Sequence, residues 1–262
     1  MIGAILGDIL GSVYEFGPEK DISKIKFSER SDFTDDTVLT IAVADAILTG
    51  KDFRDNLHLF GNKYPGRGYG GRFVQWLKAD GAGSYNSYGN GSAMRASPVG
   101  WVARTEAEVL DLAEKTAIVT HDHPEGIKGA QAIALAVFMA RNGSDKEIIR
   151  QKIAETFSYD LNQQYNDIQP KYFFDVTCQG SVPQAIIAFL DSNDYQSAIR
   201  KAVALGGDAD TQACMAGAIA EAFYGIIPDS DCKYLDRLPD EFMFTIRQFY
   251  SSFEIAMPCG IK

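Results

Sequence analysis

The stretch from Ala213 to Tyr224 constrains the fold more than any other part of this sequence. It is small and apolar almost all round, with Glu221 its one charged residue. A helix that is apolar on every side has to be packed on every side, so this segment belongs at the centre of a core. Two other runs carry the same 3.6-residue period. Val38, Leu39, Ile41, Ala42, Ala46 and Leu48 follow one face after Thr34, and Ile133, Ala136, Val137 and Ala140 do so within Ala130–Ala140. Alternating, strand-like runs are scarce, and no Asn-Gly hairpin signal separates two of them. The expected fold is all-α. Gly3, Gly7 and Gly11 fall four residues apart, which would lay a bare stripe along a first helix. Interior glycines each cost a helix roughly 1 kcal/mol relative to Ala, so the stripe predicts close approach of a neighbouring helix or a ligand.

With 262 residues, 46% of them hydrophobic and 23% charged, the chain can bury a sizeable core. Acids outnumber bases 35 to 25, for a net charge of -10, which argues against a broad nucleic-acid-binding surface. Cys178, Cys214, Cys232 and Cys259 show no C-x-x-C spacing and read as reduced, mostly buried thiols. The apolar N-terminus lacks a basic flank, carries Asp8 and is too short to span a membrane. A cytoplasmic protein without membrane attachment is expected. Residues 64–71 and 81–92 are glycine-rich loops with aromatic residues interleaved, and 157–180 reads as a long excursion. Nothing marks a boundary, so residues 1–262 are expected to form a single domain.

Two acidic clusters each precede a helical run: Thr34-Asp35-Asp36-Thr37 and Gly206-Gly207-Asp208-Ala209-Asp210-Thr211. Either alone is explained by helix capping. Each, however, offers more side-chain oxygens than a cap needs, and hard oxygen sets suit Mg²⁺, Mn²⁺ or Ca²⁺. If the two helix starts meet, four carboxylates crowd together and repel unless cations neutralise them. Glu15 is expected at the end of the first helix, stopped by Gly17-Pro18, where the dipole disfavours a carboxylate by roughly a few tenths of a kcal/mol. In Ser87-Tyr88-Gly89-Asn90-Gly91-Ser92, the glycines would turn backbone N–H groups toward phosphate oxygens, with Ser92 or Asn90 capping a helix from Ala93. Thr120-His121-Asp122-His123-Pro124-Glu125 lacks zinc-site spacing; Asp122 as cap and Pro124 in the first turn explain most of it.

Taken in order, these pieces resemble the ADP-ribosylglycohydrolase family, which includes the dinitrogenase-reductase-activating glycohydrolases. The matching stretches are Gly3–Phe16, Phe33–Thr37, Arg67–Gly70, Gly89–Arg95, Thr120-His121, Leu205–Thr211 and Ala216–Ala218. Ala209 departs from the usual Ser or Thr between the two aspartates. The resemblance implies a compact multi-helix orthogonal bundle with a dinuclear centre of Mg²⁺ or Mn²⁺. It implies Thr34, Asp35, Asp36, Asp208, Asp210 and Thr211 as ligands. Ser87, Tyr88, Gly89, Asn90 and Gly91 would hold diphosphate and distal ribose, with Gly70 and His121 lining the groove. The implied reaction releases ADP-ribose from an ADP-ribosylated protein or other acceptor, with Asp35, or next Glu15, activating water. The alternatives are another two-metal nucleotide or phosphoester hydrolase, and a non-catalytic ADP-ribose-binding protein.

Overall fold

A computed structural model describes residues 1–260; the last two residues of the expected 1–262 domain lie outside it. Its helices are α1 (Ile2–Gly11), α2 (Asp35–Thr49), α3 (Phe53–Lys63), α4 (Gly71–Lys78), α5 (Gly91–Met94), α6 (Ser97–Val102), α7 (Glu106–Ala117) and α8 (Pro124–Arg141). They continue with α9 (Lys146–Phe157), α10 (Tyr165–Ile168), α11 (Cys178–Leu190), α12 (Tyr195–Ala204), α13 (Ala209–Tyr224), α14 (Asp229–Cys232) and α15 (Asp240–Ser252). Among the described residues there is no strand, only an isolated antiparallel bridge between Gly89 and Thr177.

The all-round apolar segment is α13, and it is the axis of the molecule. α1, α8, α11 and α12 pack around it, while α2 joins α3 and α15 on the flank beside α1. The glycine stripe explains the tightest contact. A Cβ on Gly3 would lie 2.4 Å from the Gly217 carbonyl, one on Gly7 2.1 Å from that of Ala213, and one on Gly11 2.4 Å from the Asp210 Cα. The two backbones therefore touch without side chains between them. Glu221 is satisfied inside this core: its carboxylate accepts from the Gly3 amide at 2.7 Å and from the Tyr250 hydroxyl.

Several boundaries differ from expectation. α1 ends at Gly11, where Ser12 caps it by donating its amide to the Asp8 carbonyl, so Glu15 lies in the following turn and not on the helix. Gly11, the last residue of α1, lies against the start of α13. α8 is capped by His123, whose Nδ1 accepts from the Glu125 amide at 3.1 Å. Asp122 is instead spent on the Ser84 hydroxyl and the Asn86 amide. Cys232 and Cys259 form a disulfide across 27 residues, which corrects the expectation that all the thiols are reduced; Cys178 and Cys214 are free and buried. No helix among the described residues is long and apolar enough to cross a membrane.

Candidate active site

The two acidic turns meet. α2 begins at Asp35, capped by Thr34, and α13 begins at Ala209, preceded by Asp208 and by Gly206 and Gly207, both at positive φ (76° and 88°). Those two glycines supply a turn that L side chains adopt only under strain. The Thr211 hydroxyl donates to Asp36 Oδ2 at 3.0 Å, tying one helix start to the other. Oxygens of Asp8, Asp36 and Asp210 lie within 4.8 Å of one another, and so do those of Glu15, Asp208 and Asp210. Asp210 is common to both groups.

Asp8 was not singled out from the sequence. It is the one acid in α1 and is fully buried. Its Oδ1 accepts from the Thr34 hydroxyl at 2.8 Å, and Oδ2 accepts from the Thr34 amide at 3.0 Å and from the amide and hydroxyl of Thr37. With both oxygens used this way, Asp8 positions the Thr34–Thr37 turn. A charge placed in an otherwise apolar, glycine-striped helix was the available signal.

The other carboxylates are less fully satisfied: Asp36 and Asp210 each accept on one oxygen, from the hydroxyl and the amide of Thr211 respectively, at 3.0 Å. Asp36 Oδ1 is buried with no partner, and among the described residues no Lys or Arg is ion-paired to Asp8, Asp35, Asp36, Asp208 or Asp210. Burial first, then mutual repulsion, holds the carboxyls of Asp35, Asp36 and Asp210 well above the usual range. Burial raises Asp8 to about 6, against hydrogen bonds that pull it down. Glu15, half-buried, is pushed up to about 7 by burial and by Asp208 and Asp8. A buried all-oxygen cage with an orphaned carboxylate oxygen and no paired base fits hard divalent cations. Asp35 belongs to the same electrostatic cluster, through Asp8 and Asp208, but to neither compact group of three. Thr34 is occupied as cap and as donor to Asp8.

The glycine loop lies against this cage. Asn90 is buried at the N-cap position of α5, but its side-chain amide donates to Asp208 Oδ2 at 2.7 Å and makes no capping bond; Ser92 donates to the Gly126 carbonyl. The Asn90 amide is taken by the Val176 carbonyl at 2.8 Å and the Gly89 amide by Ser87 Oγ at 3.1 Å. Two loop N–H groups are thus already spent. His121 is buried behind the loop, with Nε2 3.3 Å from where a Gly91 Cβ would stand and 3.7 Å from that of Gly89. Burial, Arg95 and Arg72 hold its imidazole well below its ordinary value, in the neutral form. Tyr88, half-exposed, tilts against His123 at 5.2 Å between ring centroids. Gly70 is exposed at the α4 start with open space about it; Gly68, whose Cβ would stand 3.2 Å from Asp35 Oδ1, is the closer approach. A cavity of about 860 Å³ between α14 and α15 shares no residue with this site.

A sequence profile of the ADP-ribosylglycohydrolase family matches residues 1–253. The chain belongs to the ADP-ribosylglycohydrolase family. It is 30% identical to the ADP-ribosylhydrolase ARH3 of Danio rerio over 92% of this chain and 87% of that protein, and 28% identical to ARH3 of Homo sapiens over 88% and 86%. A solved "ADP-ribosylglycohydrolase-related protein complex" shares the fold, with a TM-score of 0.76 at 23% identity over 95% of both chains. Family membership carries ADP-ribosyl glycohydrolysis as the general reaction class, in a family generally dependent on divalent metal.

Proposed function

We propose that this chain is a Mg²⁺- or Mn²⁺-dependent hydrolase that cleaves the glycosidic bond at the distal ribose of an ADP-ribosylated protein or other acceptor, freeing ADP-ribose. The observation that carries this reading is the convergence of Asp8, Asp36 and Asp210 with Glu15 and Asp208, two oxygen groups sharing Asp210, beside the 87–91 loop. Thr34, Asp35, Asp36, Asp208, Asp210 and Thr211 would hold two cations, with Asp8 fixing the turn that presents the first three. Bound cations would supply positive charge and Lewis acidity toward ribose oxygens.

The chain's own groups do the rest. Ser87, Tyr88, Gly89, Asn90 and Gly91 give the diphosphate and ribose a close backbone wall, Tyr88 offers an exposed ring face, and His121 faces that wall. Gly70 lines the groove further out, where its lack of a side chain leaves room. Cleavage through an oxocarbenium-like state needs a carboxylate to take the proton of water. Asp35 and Glu15 are the pair for this step. Asp35 lies among the proposed ligands, and Glu15 is a half-buried carboxyl pushed up to about 7 by burial and by Asp208 and Asp8. The domain is taken as the whole chain, 1–262, and its setting as the cytoplasm; the Cys232–Cys259 pair is the feature that speaks against that setting.

The test is ADP-ribose release from a panel of ADP-ribosylated substrates. Turnover should need Mg²⁺ or Mn²⁺, stop in EDTA, and be lost in Asp35→Ala and Asp210→Ala. Full activity in chelator sinks the cation reading. Phosphate in place of ADP-ribose as product would make it a phosphoester hydrolase, and binding without product would make it a binding protein.

A further inference from the structure

The sequence pairs Thr120 with His121, and the fold buries both, with His121 facing the loop proposed above to hold a diphosphate. An imidazole there can act in two ways. With its proton on Nε2 it donates to an anion; with the proton on Nδ1 it turns a lone pair toward that anion and repels it. Which tautomer stands there depends on what Nδ1 meets.

Nδ1 meets the Thr120 hydroxyl, at 2.7 Å. That hydroxyl has one proton and two lone pairs. Arg95 NH2 donates to it at 2.9 Å, and a guanidinium can only donate. Arg95 is itself fixed: it is fully buried, NH2 also reaches the Thr116 carbonyl at 3.0 Å, and NH1 holds the Gly91 carbonyl at 3.1 Å. Of the Thr120 hydroxyl's partners Arg95 NH2 and His121 Nδ1, only the ring nitrogen can accept the threonine proton. The threonine proton then points to Nδ1. A separation of 2.7 Å is ordinary for an O–H donor and short for an N–H donor.

We propose that Thr120 is a positioning residue that fixes His121 as the Nε2–H tautomer, a neutral donor facing Gly89 and Gly91. Arg95 is the anchor of the relay, since the guanidinium that orients Thr120 also holds the Gly91 carbonyl. The ligand class is a diphosphate. That part rests on the function proposed above; the tautomer does not. The spent amides of Gly89 and Asn90 give the imidazole N–H its weight, because they leave fewer backbone donors for the anion.

Long-range ¹H–¹⁵N correlation of the imidazole nitrogens tests it on the intact protein. The wild type should show His121 protonated at Nε2. Thr120→Ser, which keeps the hydroxyl, should match it, and Thr120→Val should move the proton wholly or partly to Nδ1. Calorimetric titration with ADP-ribose in Mg²⁺ should then show about tenfold weaker binding for Thr120→Val and near-normal binding for Thr120→Ser, the size expected for one hydrogen bond to a charged group. A wild-type imidazole protonated at Nδ1 overturns the relay, even if Thr120→Val does not fold. So does Thr120→Val with the proton still on Nε2. A wild type with the predicted tautomer but no affinity for ADP-ribose would fell the proposed function and leave the relay standing.

Discussion

Asp8 accepts hydrogen bonds from the two threonines that bracket Asp35 and Asp36, so removing it should loosen the turn that carries them. Asp8→Ala is expected to lower unfolding free energy by about 3 kcal/mol in denaturant titrations, since it orphans buried donors, and to abolish the rise in Tm on adding Mn²⁺. Asp210 behaves oppositely. Its carboxyl is raised well above the usual range by burial, Asp208 and Asp36, so its ionisation costs the metal-free fold stability. Asp210→Asn should melt higher than wild type in EDTA, by roughly 1 kcal/mol, yet release no ADP-ribose. His121 gives a pH effect. Its folded pKa lies below the unfolded value, so the unfolded chain takes the proton more readily as pH falls. Its contribution is complete above the unfolded value near 6.5 and is lost as pH drops through it, at up to about 1.4 kcal/mol per pH unit. Denaturation from pH 7 to 5 should show this loss in the wild type relative to His121→Gln.

The helices that matter most meet backbone to backbone. A Cβ on Gly7 would lie 2.1 Å from the Ala213 carbonyl. Gly7→Ala gains at most about 1 kcal/mol of helix propensity, while forcing α1 from α13 costs about 1–3 kcal/mol or more. The variant should therefore unfold at lower denaturant, and cation affinity should fall with it. This seam was legible because spacing of four is a property of one helix. So were the all-helical fold, and α2 and α13 with their acidic starts, since caps and periodicity are local. What was not legible depended on partners far along the chain. Asp8 is explained by Thr34 and Thr37, 26 and 29 residues away, and the true task of Asn90 by Asp208, 118 residues away. Gly17-Pro18 is a strong local stop, but α1 ends earlier, at Gly11, with the Ser12 amide on the Asp8 carbonyl.

Across the whole molecule, a chain of net charge -10 concentrates buried carboxylates in one place, without a Lys or Arg ion-paired to them among the described residues. Elsewhere, the Cys232–Cys259 bridge ties α14 to the segment after α15. Thiol titration of the denatured protein should count two free groups before reduction and four after it; four from the outset would show the pair open.

The contact of Gly11 with Asp210 has one more consequence. Because bare main chain lies against main chain at that point, the width of the acidic cage is set by a rigid spacer and not by flexible rotamers. Widening the spacer should shift preference toward the cation of larger radius, whereas trimming a carboxylate should weaken all of them alike.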